Sequence, residues 1–338
     1  MIAPSLETKV AQLRRPELYP DKPGHIDVVE THMSWVFMTG RNVYKLKKPM
    51  RYDFLDFSTL ALRQYYCEEE VRLNRRLAPE VYLGTVPLTM DAAAQIHLGG
   101  DGDVIDWLVH MRRLPAQCML DNRIRQGVAA ETDIRQIAST LARFYRQCAA
   151  VEVSHAHYRQ QLEQSIELNK RELLGTEYPL PQALIRNVHA EQENFLTQQA
   201  AVFDARIDAG RIIEGHGDLR PEHICLQAEP VIIDCLEFNR QFRIIDPVDE
   251  LAFLAMECEF LGAWFVDREL FRTYGDMTGD HPPVHLVLFY KSYRACMRAR
   301  LSIWHVRELE KRDWGKWQQR ATDYLHLAEI YCNQLAQA

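Results

Sequence analysis

The segment His216-Gly217-Asp218-Leu219-Arg220-Pro221-Glu222-His223 is the sharpest local signal in the chain, with Asp218, Glu222 and His223 within six residues. Apolar residues flank it, Arg211-Ile212-Ile213 before and Ile224-Cys225-Leu226 after, so the spacing predicts a loop between two strands. Such loops can hold polar groups rigidly above a sheet. Sixteen residues after Asp218, the apolar run Val231-Ile232-Ile233 ends in Asp234, which places a second carboxylate at a strand end. Two carboxylates so placed can divide the work: one accepts a proton from a nucleophile, the other holds a divalent cation. The bland alternative is a turn in which Asp218 bonds backbone amides and His223 is satisfied in the core. The complete loop followed by Ile-Ile-Asp favours the functional reading.

The loop resembles the kinase catalytic loop, H-R-D-x-x-x-x-N, in position and spacing. Its His-Gly-Asp opening is similar to the aminoglycoside phosphotransferase and choline kinase-like branch of the protein-kinase-like fold. The resemblance implies that Asp218 orients a substrate hydroxyl and accepts its proton, with Arg220 as a cation beside the transferred phosphoryl. It implies that Asp234 binds magnesium, with Cys235-Leu236 where kinases carry Phe-Gly. Ile245-Asp246-Pro247-Val248-Asp249-Glu250-Leu251-Ala252 looks like the Asp-Pro-x-x-Asp-Leu-Ala segment of that branch. One position departs: His223 stands where the kinase Asn supplies the second metal ligand. Imidazole suits later transition metals, whereas Mg²⁺ prefers oxygen, so either Glu222 substitutes for His223 as ligand, or the preference shifts from Mg²⁺ towards Mn²⁺, or metal binding is weaker.

A kinase loop calls for an upstream lysine on a strand and a glutamate on a helix. In Val43-Tyr44-Lys45-Leu46-Lys47 the alternation puts Val43, Lys45 and Lys47 on one face. Lys45 is preferred as mid-strand, with Lys47 the alternative. A helix capped by Ser58 and running to about Leu77 carries an apolar stripe of Leu62, Tyr66, Leu73 and Leu77, and Glu70 falls within it. A carboxylate there needs a partner, because an unpaired buried charge is costly. Lys45 is the expected partner, and Glu69 is the nearest alternative to Glu70. There is no G-x-G-x-x-G loop. The turn containing Thr31 and Ser34 offers hydroxyls and amides to phosphate oxygens. Met111 and Arg113 lie in the stretch that the resemblance makes the hinge, whose backbone would bind the base of ATP or GTP.

Around these motifs the pattern changes once. Residues 25–113 hold short β-rich runs and one helix, whereas residues 114–338 are mostly helical, with periodic segments near 131–149, 155–174, 181–207 and from 283 onwards. The expected fold class is α+β: a bilobal protein-kinase-like fold with a small antiparallel-sheet N-lobe (25–113) and a mainly helical C-lobe (114–338). With 40 Lys+Arg against 47 Asp+Glu, the net charge is −7, which argues against a nucleic-acid or anionic-membrane partner. No apolar run approaches a membrane span, the N-terminus lacks the apolar core of a signal peptide, and the eight cysteines form no C-x-x-C pair. A cytoplasmic protein is expected.

The expected activity is an ATP- or GTP-dependent phosphotransferase acting on a hydroxyl of a small molecule. A nucleotide-binding pseudokinase is the first rival, and a metal-dependent phosphohydrolase built on His216, Asp218 and His223 is the second. Asp246-Pro247 suits a helix N-cap followed by the first helical residue, and Asp249 and Glu250 suit the helix dipole, so none is given a catalytic role. Tyr290, Arg294 and Arg298 share a helix face, either salt-bridged or a cationic row suited to an anionic substrate. Trp304, Trp314 and Trp317 are expected to cover core.

Overall fold

A computed structural model of the chain describes residues 4–175, 177–306 and 314–337. The chain forms two compact units, Met1–Met119 with His223–Phe242, and Leu120–Glu222 with Arg243–Ala338.

The first unit opens with α1 (Leu6–Leu13), where the Ser5 hydroxyl accepts from the Thr8 N–H. Strands β1 (Asp27–Glu30), β2 (Ser34–Met38) and β3 (Asn42–Lys47) follow, then the hairpin of β4 (Arg51–Tyr52) and β5 (Leu55–Asp56). Next come α2 (Leu60–Asn74), β6 (Tyr82–Met90), β7 (Ile96–Leu98) and β8 (Asp103–Arg112). Six of these strands form one antiparallel sheet in the order β1-β2-β3-β8-β6-β7, so β3 is paired along both sides. Its period of two sorts the residues. Tyr44 and Leu46 pack with Phe37, Leu108 and the α1 residues Val10 and Leu13. Val43 turns the other way, towards Val109, Met111 and the α2 residues Cys67 and Val71. Lys45 and Lys47 share the Val43 face, which α2 covers.

The α2 helix starts and packs differently from expectation. Its N-cap is Thr59, whose hydroxyl accepts from the Leu62 N–H, while Ser58 bonds Asp56 instead. It ends at Asn74 rather than Leu77. Its buried face runs through Arg63, Cys67, Glu70 and Asn74, leaving Leu62 and Tyr66 half-buried. Arg63 tolerates burial because Asp106 accepts from it at 2.7 Å, and Asp106 also accepts from Lys9 at 2.8 Å. The returning segment adds an antiparallel pair, Ile224–Cys225 with Val231–Ile232, and brings Val231 and Ile233 onto the α2 core.

The second unit is helical: α3 (Leu120–Arg125), α4 (Glu131–Gln147), α5 (His155–Leu173), α6 (Gln182–Gln198), α7 (Ala200–Asp208), α8 (Pro247–Phe260), α9 (Phe265–Thr278), α10 (Val284–Val306) and α11 (Gly315–Leu335). The single helix expected over 181–207 is thus two, parted at Gln199. The tail is also two helices, and residues 307–313 between them lie outside the described residues. On α10, Ala295, Cys296, Ala299 and Ile303 pack with Tyr324, Leu325 and Ala328 of α11, and Trp314 and Trp317 cover this cluster. Phe289, Tyr290 and Tyr293 pack with Tyr158 and Leu162 of α5 and Phe203 of α7. The short strand Ile213–Glu214 pairs with Ile244–Ile245, not with the strand after the loop. Asp246 caps α8 by accepting from the Val248 N–H, with Pro247 at the first helical position.

Candidate functional site

In the first unit, β3, α2 and the returning segment build one charge network. The Lys45 ammonium donates to Glu70 at 2.9 Å and to Asp234 at 2.8 Å. Lys47 donates to the other Glu70 oxygen at 2.6 Å and to Glu237. The two lysines weighed as alternatives therefore both meet Glu70, and only Lys45 bonds Asp234. Glu69 pairs with Arg72 on the outer face of α2. Glu70 and Lys47 are fully buried, whereas the Asp234 side chain is 43% exposed.

The electrostatics follow from that burial. Desolvation alone would favour neutral Lys45, but the Asp234 and Glu70 carboxylates outweigh it and hold its pKa well above the ordinary lysine value. Burial pushes the Glu70 carboxyl up, and the two ammoniums overcome it and hold it below its usual value. For Glu237 burial prevails, and its pKa is raised despite Lys47.

Asp234 is held in the left-handed region, with φ of +61°, which is strained for a residue other than glycine. Its N–H donates to the Tyr82 hydroxyl at 3.0 Å, and the next N–H, of Cys235, donates to the Asn74 side chain at 2.8 Å. Ile233 donates to the His223 carbonyl at 2.9 Å. These bonds over-determine the turn. His223 lies mostly buried with its Nε2 3.5 Å from an Asp234 oxygen. Sequence reasoning missed Glu237, Tyr82 and Asn74; the faint signal was a polar Asn in line with Glu70 on one helix face.

In the second unit the His216–Glu222 loop is shaped by a carboxylate beneath it. Glu250 on α8 accepts from the N–H groups of His216 at 2.7 Å and Gly217 at 2.6 Å, and from the Tyr145 hydroxyl at 2.9 Å. A Cβ at Gly215 would come within 2.9 Å of both Glu250 oxygens, so glycine there permits the approach. Gly217, at φ of +86°, takes a conformation that favours glycine. Burial raises the Glu250 pKa, with the two backbone N–H groups opposing. Asp218, two residues on, carries its carboxylate 3.0 Å from Arg220, which also donates to Glu222 at 2.5 Å. Burial would lower the Arg220 pKa, and Asp218 and Glu222 keep it raised. Glu250, read from sequence as a helix-dipole residue, is thus a loop anchor.

The other expected residues have partners of their own. The Thr31 hydroxyl donates to the Ser34 carbonyl and accepts from the Ser34 N–H, and Ser34 is buried. Met111 is buried on β8, and Arg113 bonds the Thr39 carbonyl and Asp27. Arg294 pairs with buried Asp249 at 2.6 Å, Arg298 lies 2.7 Å from Glu257, and Tyr290 meets Tyr158, so the row is salt-bridged rather than open. Among the described residues, no group of three or more His, Cys, Asp or Glu side chains is arranged to hold a metal ion. Asp234 and His223 still fit Mg²⁺ or Mn²⁺ bound with a nucleotide, because such ions commonly take one or two protein ligands and complete their shell with phosphate oxygens and water.

No family model matches the chain. Proteins of uncharacterised function from Mycobacterium tuberculosis and Mycobacterium bovis are 34% identical to it over 289 residues, 83% of this chain and 55% of each relative. The chain spans about half the length of the curated relatives it matches. A choline/ethanolamine kinase family protein from Mesorhizobium loti superposes with a TM-score of 0.55 at 15% identity, covering 98% of this chain and 100% of that one. An ethanolamine kinase from Plasmodium vivax gives 0.50 at 9% identity, covering 89% and 81%. No described helix is long and apolar enough to cross a membrane. With its antiparallel sheet, its single α2 helix and its helical remainder, the chain has the protein-kinase-like fold of these structures.

Proposed function

We propose that the protein is an ATP- or GTP-dependent phosphotransferase acting on a hydroxyl of a small molecule. The observation that carries this reading is Lys45, bonded at once to Glu70 at 2.9 Å and to Asp234 at 2.8 Å. A lysine so fixed presents a permanent positive charge beside an exposed carboxylate. That pairing suits nucleotide phosphates and their cation. The choline/ethanolamine kinase structures that share the fold point the same way. Residues 25–113 would hold the nucleotide, and residues 114–338 would supply the catalytic and metal-binding loops.

In this reading the acceptor oxygen attacks the terminal phosphorus, the bond to the bridging oxygen breaks, and the nucleoside diphosphate leaves. Asp218 orients the hydroxyl and takes its proton, and Arg220 fixes the Asp218 carboxylate. Lys45 bonds the phosphates and neutralises their charge. Asp234 and His223 would hold Mg²⁺ or Mn²⁺, which when bound neutralises charge on the phosphate oxygens. The protein contributes position and preorganised charge rather than covalent chemistry.

A nucleotide titration with Mg²⁺, with Mn²⁺ and without metal tests this reading. Asp234→Ala is expected to weaken metal–nucleotide binding about tenfold or more, roughly 1.4 kcal/mol. Asp218→Asn is expected to bind nucleotide within about twofold of the parent yet transfer no phosphoryl group, because its effect falls on the transition state. Equal loss of nucleotide affinity in both variants would refute the division of roles. The second reading, nucleotide binding without transfer, is favoured by His223 standing where an oxygen ligand is usual. Tight binding with no turnover on any acceptor would establish it.

A further inference from the structure

The helical unit contains a cavity of about 230 Å³ whose wall carries the side chains of Arg220, Arg298 and Arg320, with Glu222 as the one carboxylate among the described residues. Trp317, stacked on His305 with ring centroids 4.3 Å apart, forms another part of the wall. Besides Glu222, which pairs with Arg220, two carboxylates off the wall engage these arginines: Asp218 bonds Arg220 at 3.0 Å and Glu257 meets Arg298 at 2.7 Å. Arg320 differs from both. Among the described residues no carboxylate pairs with it. Its Nη2 reaches only the Tyr324 hydroxyl at 3.3 Å, and its buried Nε has no hydrogen-bond partner. Its guanidinium otherwise packs over the rings of Phe260 and Tyr324.

A buried donor without an acceptor is costly, and a guanidinium group offers five donors in a fixed plane. The ligand that satisfies several such groups at once is an oxyanion with many lone pairs, and the fork of arginine matches phosphate. Among the described wall residues a positively charged amine would meet three like charges and no carboxylate other than Glu222, which Arg220 already engages at 2.5 Å. A cavity of about 230 Å³ accommodates a phosphate group with a short carbon skeleton. Arg220 belongs to it and also bonds Asp218, so a ligand here adjoins the residue assigned to the acceptor hydroxyl.

We propose that this cavity binds the phosphate group of a small phosphorylated alcohol, and that this alcohol is the acceptor. The second half rests on the phosphotransferase reading; the first does not. Calorimetric titration at low ionic strength with inorganic phosphate, acetate and tetramethylammonium tests it on the full chain. One phosphate is expected to bind per chain, about tenfold or more tighter than acetate, with no uptake of tetramethylammonium. Arg320→Gln is expected to weaken phosphate at least about tenfold. Glu222→Gln, which removes the only carboxylate among the described wall residues, is expected to tighten it several-fold, an outcome that misfolding cannot produce. Lys45→Ala separates this cavity from the nucleotide phosphates and is expected to leave the affinity within about twofold. Phosphate that fails to bind, or that is lost in Lys45→Ala and kept in Arg320→Gln, would overturn the anion site. A chain that binds phosphate as described but no nucleotide would overturn the acceptor assignment and leave the anion site standing.

Discussion

Asp234 and Asp218 are carboxylates that follow short strands, yet their two units hold them by different physics. Asp234 is positioned by charge. Lys45 bonds it, and Lys45 is itself fixed by Glu70, which Lys47 and Glu237 complete from behind. Asp218 is positioned by backbone. Glu250 draws down the N–H groups of His216 and Gly217, and the Asp218 carboxylate pairs with Arg220 of the same loop. A charge network of alternating sign is rigid while complete and fails when one member is removed. A carboxylate under two amides supports one turn and transmits less.

The comparison breaks most visibly at Glu70. Glu70→Gln leaves two buried ammoniums around a neutral side chain, and removing one partner from a buried pair costs about 3–5 kcal/mol. A loss of about 3 kcal/mol is expected in denaturant unfolding, since Gln keeps the shape and one acceptor. Glu237→Gln is expected to cost about half of that or less. Its carboxyl already has a raised pKa, and Lys47 keeps Glu70. If both variants lose the same amount, the network has no centre and the contrast with the helical unit fails.

The ease of finding these residues in the sequence tracked how local their partners are. The loop 216–223 is contiguous, and its spacing to Asp234 survives as written. Lys45 was legible because a strand alternates, and Tyr44 and Leu46 mark the opposite face. Glu70 was reached along an apolar stripe that is only partly the buried face, with Leu73 and Leu77 buried but Leu62 and Tyr66 half-buried. Arg63, Cys67, Glu70 and Asn74 form that face. Polar residues buried as pairs leave no trace in hydrophobic periodicity. Tyr82 and Asn74 hold the Asp234 turn across 152 and 161 positions, and no local pattern records such a bond. Glu250 could have been suspected, since it opens the run Leu251-Ala252-Phe253-Leu254-Ala255-Met256 on a helix with no polar face at those positions.

A smaller effect is expected at Glu250. Glu250→Gln keeps a carbonyl oxygen for one or two of the three donors but replaces a charged acceptor with a neutral one. Hydrogen bonds to charged groups contribute about 1.5–3 kcal/mol, so a loss of about 2 kcal/mol is expected. Tyr145→Phe, which removes only the hydroxyl donor, is expected to cost about 1 kcal/mol. The sharper readout is amide hydrogen exchange at His216 and Gly217. It should accelerate in Glu250→Gln and not in Glu70→Gln, because the supports belong to different units.

The helical unit has a charge network too, and its place sharpens the contrast. Arg206 donates to Asp246 at 2.7 Å and to Asp280 at 2.5 Å, and Tyr274 donates to Asp280 at 2.6 Å. Asp246 is the N-cap of the helix that carries Glu250, so the ion pairs here support the anchor and not the loop itself. Burial would raise the Asp280 pKa, but the bonds from Arg206 and Tyr274 outweigh it and hold the carboxyl below its ordinary value. A folded-state pKa below the unfolded one contributes stability that is fully present above the unfolded value, near ~3.9, and is lost as the pH falls through the folded value. Asp280→Asn should therefore cost about 1–2 kcal/mol near neutral pH, where Arg206 still keeps Asp246. Its deficit relative to the parent should shrink as the pH drops below about 4. Denaturant midpoints of both proteins between about pH 3 and pH 7 give the comparison. A deficit that stays constant on acidification would mean that Asp280 acts by packing and not by charge. The helical unit would then lack the pH-sensitive ion pairing that this contrast assigns to it.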